Sequence, residues 1–418
     1  MPDAPTTSGT SGDPSAHGPH VPRAPLPGEV RAWGTVSLFS DLSHEGVSSI
    51  LPQFLISIGG GPAALGVIEG ASDALSAFAK LAAGTVADRA RRLKPLVLAG
   101  YILTTLAVPA IALARSWVMV ALLRATGWMG RGFRSPLRDT LLLRAIPPGA
   151  TGRAFGLERA MDQAGAVLAP MAVLLLVACS VGLRTIVALS LLPGLVAITL
   201  LLVFVREHGR SSTPDQAPVP PGERVPIGRP MRRLLTAVAV FGCGDFAKTL
   251  LVLWALGPAG GLLTPTALGT GVVLYALFNI VTVGSAYMAG RLSDNVGRKP
   301  VLGASYLIGA AGAAVPVLLP AGLGAGALAL ALSGVMVGAE ESVERAWAAD
   351  LAGRLPGRAF GLLHSINGLA DLAASAGVGL VWTLAGPEAA FGAAALLMAA
   401  GACLSMTVPA SSGRTEAD

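Results

Sequence analysis

Ionisable residues recur inside long apolar runs of this chain, and their spacing limits the chemistry they can do. Asp41, His44 and Glu45 stand at i, i+3 and i+4, on one face of a helix. Glu158 and Asp162 share a face beside Arg159. Asp245 and Lys248 form a third group, and Glu340, Glu341, Glu344 and Arg345 a fourth. His364, Asn367 and Asp371 follow at i, i+3 and i+7. A charge at the centre of a bilayer costs at least ~2.5–3.5 kcal/mol, so each of these faces a cavity or a partner. Carboxylates in such places load and release protons. Arg124 is the remaining candidate, because its guanidinium keeps its charge and governs the proton of any carboxylate brought against it. The expected proton-coupling or substrate cavity is therefore Asp41, His44, Glu45, Arg124, Glu158, Asp162, Asp245, Glu344, Asn367 and Asp371.

Other chemistry has less support. No Ser/His/Asp arrangement, H-E-x-x-H or phosphate-binding loop appears, so no catalytic residues, enzymatic activity or cofactor are expected. Asp41, His44 and Glu45 offer oxygen and nitrogen ligands. Three ligands from one helix at that spacing read first as a polar cavity wall, so no metal site is expected. Export of a metal or metal chelate, and lipid movement, stand as alternatives to export of a small molecule. Glu341 and Arg345 are spaced for an ion pair within one helix, and Lys80 for reaching the membrane surface. Arg131, Arg134 and Arg138 read as interfacial anchors or gate partners. Cys179, Cys243 and Cys403 are far apart in apolar runs and read as packing residues.

The elements that must position these groups are membrane spans. Of the 418 residues, 53% are hydrophobic and 13% charged, with a mean hydropathy of +0.66. Soluble chains carry about a quarter charged residues. Runs of about 20 apolar residues give twelve spans. The first six are expected at 33–57, 64–87, 95–115, 117–143, 153–178 and 183–205. The second six are expected at 233–257, 266–291, 299–319, 322–350, 358–384 and 388–409. Residues 206–232 are polar and Pro-rich and form the linker between two six-helix bundles, 33–205 and 233–409. Residues 1–32 read as a disordered tail without the pattern of a signal peptide, and 410–418 as a short second tail.

Basic residues gather on one side. Arg89, Arg91, Arg92 and Lys94 follow span 2; Arg291, Arg298 and Lys299 follow span 8; Arg206, Arg210, Arg224 and Arg229 lie in the linker. Only Arg115 and Arg184 fall opposite. The positive-inside rule places that side, with the linker and both termini, in the cytoplasm of a multi-pass protein of the cell membrane. The same rule accounts for the formal net charge of +6 without nucleic acid.

The hexapeptide GRAFGL occurs twice, from Gly152 and from Gly357, 205 positions apart. "GTVADRARR" from Gly84 and "GRLSDNVGRK" from Gly290 are 206 apart. Asp41 and Asp245 are 204 apart, and Asp139 and Glu344 are 205 apart. The halves are thus duplicated six-helix units in the same orientation.

On these motifs the chain resembles the major facilitator superfamily, over nearly everything after the N-terminal tail. The carrying motif is that family's G-x-x-x-D-R/K-x-G-R-R/K loop. Its first copy is Gly84, Asp88, Arg89 and Arg92, with Arg91 in place of the family's glycine. Its second is Gly290, Asp294, Gly297, Arg298 and Lys299, with Asn295 in place of a basic residue. "RATGWMGRG" is similar to the family's R-x-x-Q-G pattern at Arg124, without the glutamine. Gly165, Ala169 and Pro170 look like a degraded G-x-x-x-G-P motif of drug–proton antiporters.

The resemblance implies an all-α membrane protein of twelve transmembrane helices in two parallel six-helix repeats. It implies a secondary transporter working by alternating access. The expected activity is proton-coupled efflux of a small drug-like molecule or metabolite by a single chain in the bilayer. It also implies that each loop motif crosses to the other half. Asp88 then meets the second hexapeptide, Gly357, Arg358 and Gly361, and Asp294 meets the first, Gly152, Arg153 and Gly156. The expected result is a cytoplasmic gate.

Overall fold

A computed structural model describes residues 25–59, 62–207, 226–257 and 265–409. Most of both tails and most of the linker lie outside the described residues. Within them the chain is helical, with no strand.

The first half holds α1 (Gly28–Ser57), α2 (Pro62–Arg89), α3 (Lys94–Ala110, prolonged by a 3-10 turn, Ile111–Leu113) and α4 (Trp117–Ala145). It ends with α5 (Thr151–Ala178), α6 (Leu183–Leu189) and α7 (Leu191–Phe204). The second half holds α8 (Arg229–Gly242), α9 (Thr249–Leu256), α10 (Pro265–Val296) and α11 (Arg298–Leu318). Its last helices are α12 (Leu323–Leu351), α13 (Pro356–Ala385) and α14 (Pro387–Ser405).

Two expected spans are broken, each for a local reason. The sixth is split at Ser190 into α6 and α7. Pro193 lacks the N–H that would bond the Leu189 carbonyl, and its ring crowds that carbonyl. Ser43 of α1 donates to the Ser190 carbonyl at 2.7 Å, satisfying a backbone group beside the break. The seventh span is split into α8 and α9 after Gly242-Cys243-Gly244. A side chain on Gly244 would stand 2.5 Å from the Ala394 carbonyl, so α14 passes too close for anything larger. Two boundaries also differ from expectation. Residues 28–32, assigned to the tail, open α1, and residues 229–232, assigned to the linker, open α8.

The packing is that of two bundles. In the first, α1 lies against α5 and α7, α2 against α4, and α3 against α4 and α7. In the second, α10 lies against α12, α11 against α12 and α14, and α8 against α13 and α14. The halves meet chiefly where α5 packs on α10 and α2 on α13. The polarity is that of a membrane protein. Phe78, Leu113, Met288, Leu384 and Leu396 are exposed on the outside, whereas Asp41, Arg124, Asp139, Glu158 and Glu344 are buried. Cys179, Cys243 and Cys403, expected to pack inside, are exposed.

Eight helical segments of the described residues are long and apolar enough to cross a membrane. The remaining spans, α1, α2, α4 and the α8–α9 pair, fall outside that set. Of these, α4 contains Arg124, Arg131, Arg134, Arg138 and Asp139, and the α8–α9 pair is broken into helices of 14 and 8 residues. They tolerate charge because they turn it toward the space between the halves.

Candidate functional site

The site is built in layers from the end of the bundle that carries the basic loops. At that end each loop motif crosses to the opposite half. Asp88, at the end of α2, accepts the backbone N–H groups of Gly357 and Arg358, each at 2.8 Å. Asp294, near the end of α10, accepts those of Gly152 at 2.8 Å and Arg153 at 2.9 Å. Both pairs of N–H groups belong to the first turn of a helix, α13 and α5, where they have no partner within the helix and the dipole favours an anion. Arg298 donates to Asp294 at 2.6 Å and to Asp350 at 2.8 Å, and Gly297 turns the chain between α10 and α11 at φ +93°. Arg89 and Arg92 are exposed beside the first latch.

The glycines of these motifs set how closely the helices cross. A side chain on Gly84 would stand 2.7 Å from the Gly357 carbonyl, and one on Gly361 would stand 2.9 Å from the Gly84 Cα. A side chain on Gly290 or Gly152 would collide with the other's carbonyl, and one on Gly156 with the Ala286 carbonyl. Backbone thus lies on backbone at both crossings, which only hydrogen side chains permit. Between the crossings Phe155 and Phe360, the aromatic residues of the two hexapeptides, meet edge to face with ring centroids 5.7 Å apart.

Deeper lies a layer of buried ion pairs. Glu158 accepts from Ser37 and Arg345, each at 2.6 Å, and lies 2.9 Å from Arg138. Asp139 is 3.1 Å from Arg138, 2.7 Å from His364 and 3.8 Å from Arg345. Arg159 pairs with Asp162 at 2.7 Å and with Glu341 of the other half. The ion pair expected within α12 is therefore not formed. Glu341 reaches Arg159 and Arg345 reaches Glu158, because α5 lies directly against α12. Gln163 and Asn279 add a hydrogen bond between α5 and α10 that no charge pattern announces.

Behind this layer is a cavity of about 300 Å³. Asp41, Asp73, Asp162, Glu341, Glu344 and Asp371 line it, as do Lys80, Arg131, Arg134, Arg138, Arg159 and Arg345. Six carboxylates thus face six cations, with His364, Asn367, Ser76 and Ser135 between them. Among the described residues Trp128, Leu363 and Gly368 are its only apolar lining residues.

Of the expected site, Asp41, Asp162, Glu344, Asn367 and Asp371 line this cavity. Glu158 sits in the ion-pair layer. His44 lies behind Asp41 and Glu45, its Nε2 at 3.3 and 3.5 Å from them, and its Nδ1 donates to the Ser40 carbonyl at 2.7 Å. Arg131 reaches the same two carboxylates at 3.6 and 3.4 Å. Among the described residues no group of three or more His, Cys, Asp and Glu is arranged to hold a metal. Arg124 lies off the cavity, over the Trp128 ring at 3.9 Å, and donates to Ser48 at 3.2 Å. Asp245 also lies off it, paired with Lys248 in the break between α8 and α9.

Three groups read otherwise from sequence, Lys80, the α4 arginines and Arg345, line the cavity as well. Arg131, Arg134 and Arg138 are spaced i, i+3 and i+7. The signal was the one used for the acidic residues, a single face of charges within a span.

Known proteins share this architecture. The uncharacterized MFS-type transporter MJ1317 of Methanocaldococcus jannaschii is 26% identical over 370 residues, covering 86% of this chain and 89% of its own. The human organic anion transporter MFSD10 superposes with a TM-score of 0.73 at 17% identity, over 91% of this chain and 100% of that one. The E. coli fucose:proton symporter FucP does so with a TM-score of 0.72 at 15% identity, over 90% and 97%. These two likenesses show the fold. The family model for the Major Facilitator Superfamily matches residues 34–264, more than half of the chain. With that match, the duplicated halves and the two crossed loop motifs, this chain belongs to the major facilitator superfamily.

Proposed function

We propose that this protein is a secondary active transporter of the cell membrane that expels a small polar molecule in exchange for protons, by alternating access. The observation that carries this reading is a charged cavity between the halves whose exit at the basic end is closed by two reciprocal carboxylate latches. Separate hydrogen bonds, short glycine crossings and one layer of ion pairs close that exit. All of these can be exchanged for water without unfolding either bundle. The positive-inside rule makes the basic end cytoplasmic, along with both termini. The closed end then corresponds to the state shut toward the cytoplasm.

The lining argues for a polar cargo. A lipophilic drug or a lipid tail would lie against carboxylates and guanidiniums and displace their water without replacing its hydrogen bonds. Asp41 is the favoured proton carrier of the first half. It is buried, lines the cavity, and has Arg131 of the same half 3.6 Å away as a fixed cation that holds its charge in place once its proton is released.

The test is reconstitution into liposomes carrying an imposed pH gradient, with proton movement followed as compounds are added. Under the reading, cargo dissipates the gradient in the wild type, and Asp41→Asn retains binding but loses the coupled proton flux. Transport indifferent to the gradient in the wild type would replace proton exchange with uniport or another coupling ion.

A further inference from the structure

The cavity's carboxylates divide three and three between the halves, but its cations divide five in the first half and Arg345 alone in the second, an asymmetry the duplication makes visible. The matching turns of α4 and α12 began as copies. Those of α4 now carry Arg131, Arg134, Arg138 and Asp139, three cations and one anion. Those of α12 carry Glu340, Glu341, Glu344 and Arg345, three anions and one cation. One wall has become basic and its duplicate acidic. Repulsion between like charges on one helix opposes such runs unless something else gains from them.

Most of these charges are used within the protein: Arg131 on Asp41, Arg138 and Arg345 on Glu158, Arg159 on Asp162 and Glu341. Those left over are also segregated. Arg134 is 3% exposed, donates to Ser40 at 2.6 Å, and lies over the Tyr101 ring at 3.8 Å. It has no carboxylate within 4.0 Å among the described residues, and Ser40 is the one side-chain acceptor it reaches there, out of a capacity of five donors. Lys80, on α2 of the same half, likewise has no ion pair among the described residues. On the opposite wall Glu344 is fully buried and accepts from the Tyr306 hydroxyl and from Asn367 at 2.8 Å, again without a cation. Asp371 lines the same wall unpaired. Asp73, on α2, is the one unpaired lining carboxylate of the first half.

Resting on the reading of the protein as a transporter, we infer that its cargo is a small zwitterion, held with its acidic group on Arg134 and its cationic group against Glu344 and Asp371. Three considerations lead there. The lining charges balance, six against six, so a cargo of net charge would leave uncompensated charge in a low-dielectric space, while a zwitterion would not. The unpaired guanidinium and the unpaired carboxylates lie on opposite walls and call for opposite groups. The volume of about 300 Å³ is at the lower end for ligand sites, the size of an amino acid or a short peptide. A simple anion is the competing occupant, since protons could neutralise Glu344 and Asp371 but nothing neutralises Arg134.

The test uses the full-length protein in detergent or nanodiscs and a probe series that varies only charge and charge spacing. The probes are ω-amino acids from glycine to 6-aminohexanoate, the fatty acids of the same lengths, and the matching n-alkylamines. The readout is the concentration dependence of Tm. One or more ω-amino acids should raise Tm, with an optimum of charge spacing, while the acids and amines of equal length should not. Arg134→Gln and Glu344→Gln should each weaken the best probe about tenfold or more. Arg134→Lys should recover part of that loss, which a merely structural role for the guanidinium would not produce. Equal stabilisation by a fatty acid, or by an alkylamine, overturns the inference in favour of an anion or a cation. A flat response to every ω-amino acid overturns it as well. Alternating access is read separately, without cargo, from spin-label distances across the basic end, so failure of one reading is seen apart from failure of the other.

Discussion

Phe155 of α5 and Phe360 of α13 are the same residue of a duplicated hexapeptide, and they touch each other, edge to face, at the end of the bundle that carries the basic loops. The glycines on either side of each phenylalanine bear the backbone crossings, and the first N–H groups of each copy hold a carboxylate of the other half. The repeat is a single structure made from both halves, with the latches outside and the aromatic contact within.

Removing one latch should open that end. Asp88→Ala loses two charge-assisted hydrogen bonds to Gly357 and Arg358, worth about 1.5–3 kcal/mol each. The ratio of closed to open molecules should fall at least tenfold. Spin-label distances between positions 91 and 352, after the three exposed cysteines are replaced by serine, measure the shift. An unchanged distance distribution would refute the latch.

Adding one carbon at a crossing should have the same effect by another route. In Gly290→Ala the new methyl meets the Gly152 carbonyl, and backbone on both sides has no room to yield. The expected variant folds, with a wild-type helical circular dichroism spectrum, but the same label pair reports a basic end held apart and transport is lost.

Breaking the ion-pair layer should be costly one partner at a time. Arg345→Gln leaves the buried Glu158 with less compensation, and removing one partner of a buried pair costs about 3–5 kcal/mol. The double variant Glu158→Gln/Arg345→Gln should recover part of the loss in Tm. A double variant no more stable than the sum of the single ones would mean the two groups are not coupled.

The bond from Ser43 to Ser190 should matter despite its distance from the cavity. In Ser43→Ala the Ser190 carbonyl beside the α6–α7 break loses its donor, a penalty of about 1–3 kcal/mol. Thermal unfolding should show a lowered Tm, and conversion of Ser190 itself to Ala, which leaves that carbonyl paired, should show a smaller one.

Much of this was legible in the amino-acid sequence because it is local or repeated. Apolar runs give the spans through their length, helical spacing puts Asp41, His44 and Glu45 on one face, and the hexapeptide reveals the duplication. The crossing of Asp88 and Asp294 followed from resemblance to a family, not from spacing. What only the tertiary structure decided is which charges meet. Arg345 is four residues from Glu341 yet pairs with Glu158, 187 positions away. Asp245 lies in a matching repeat position to Asp41 but is held by Lys248 in a helix break, off the cavity. Arg134, which reads as an anchor, is buried on Tyr101 beside the cavity. Periodicity tells which face of a helix a charge is on. It carries no information about the helix that will lie opposite, and in a low-dielectric interior the opposite helix determines whether a charge is paired or left for a ligand.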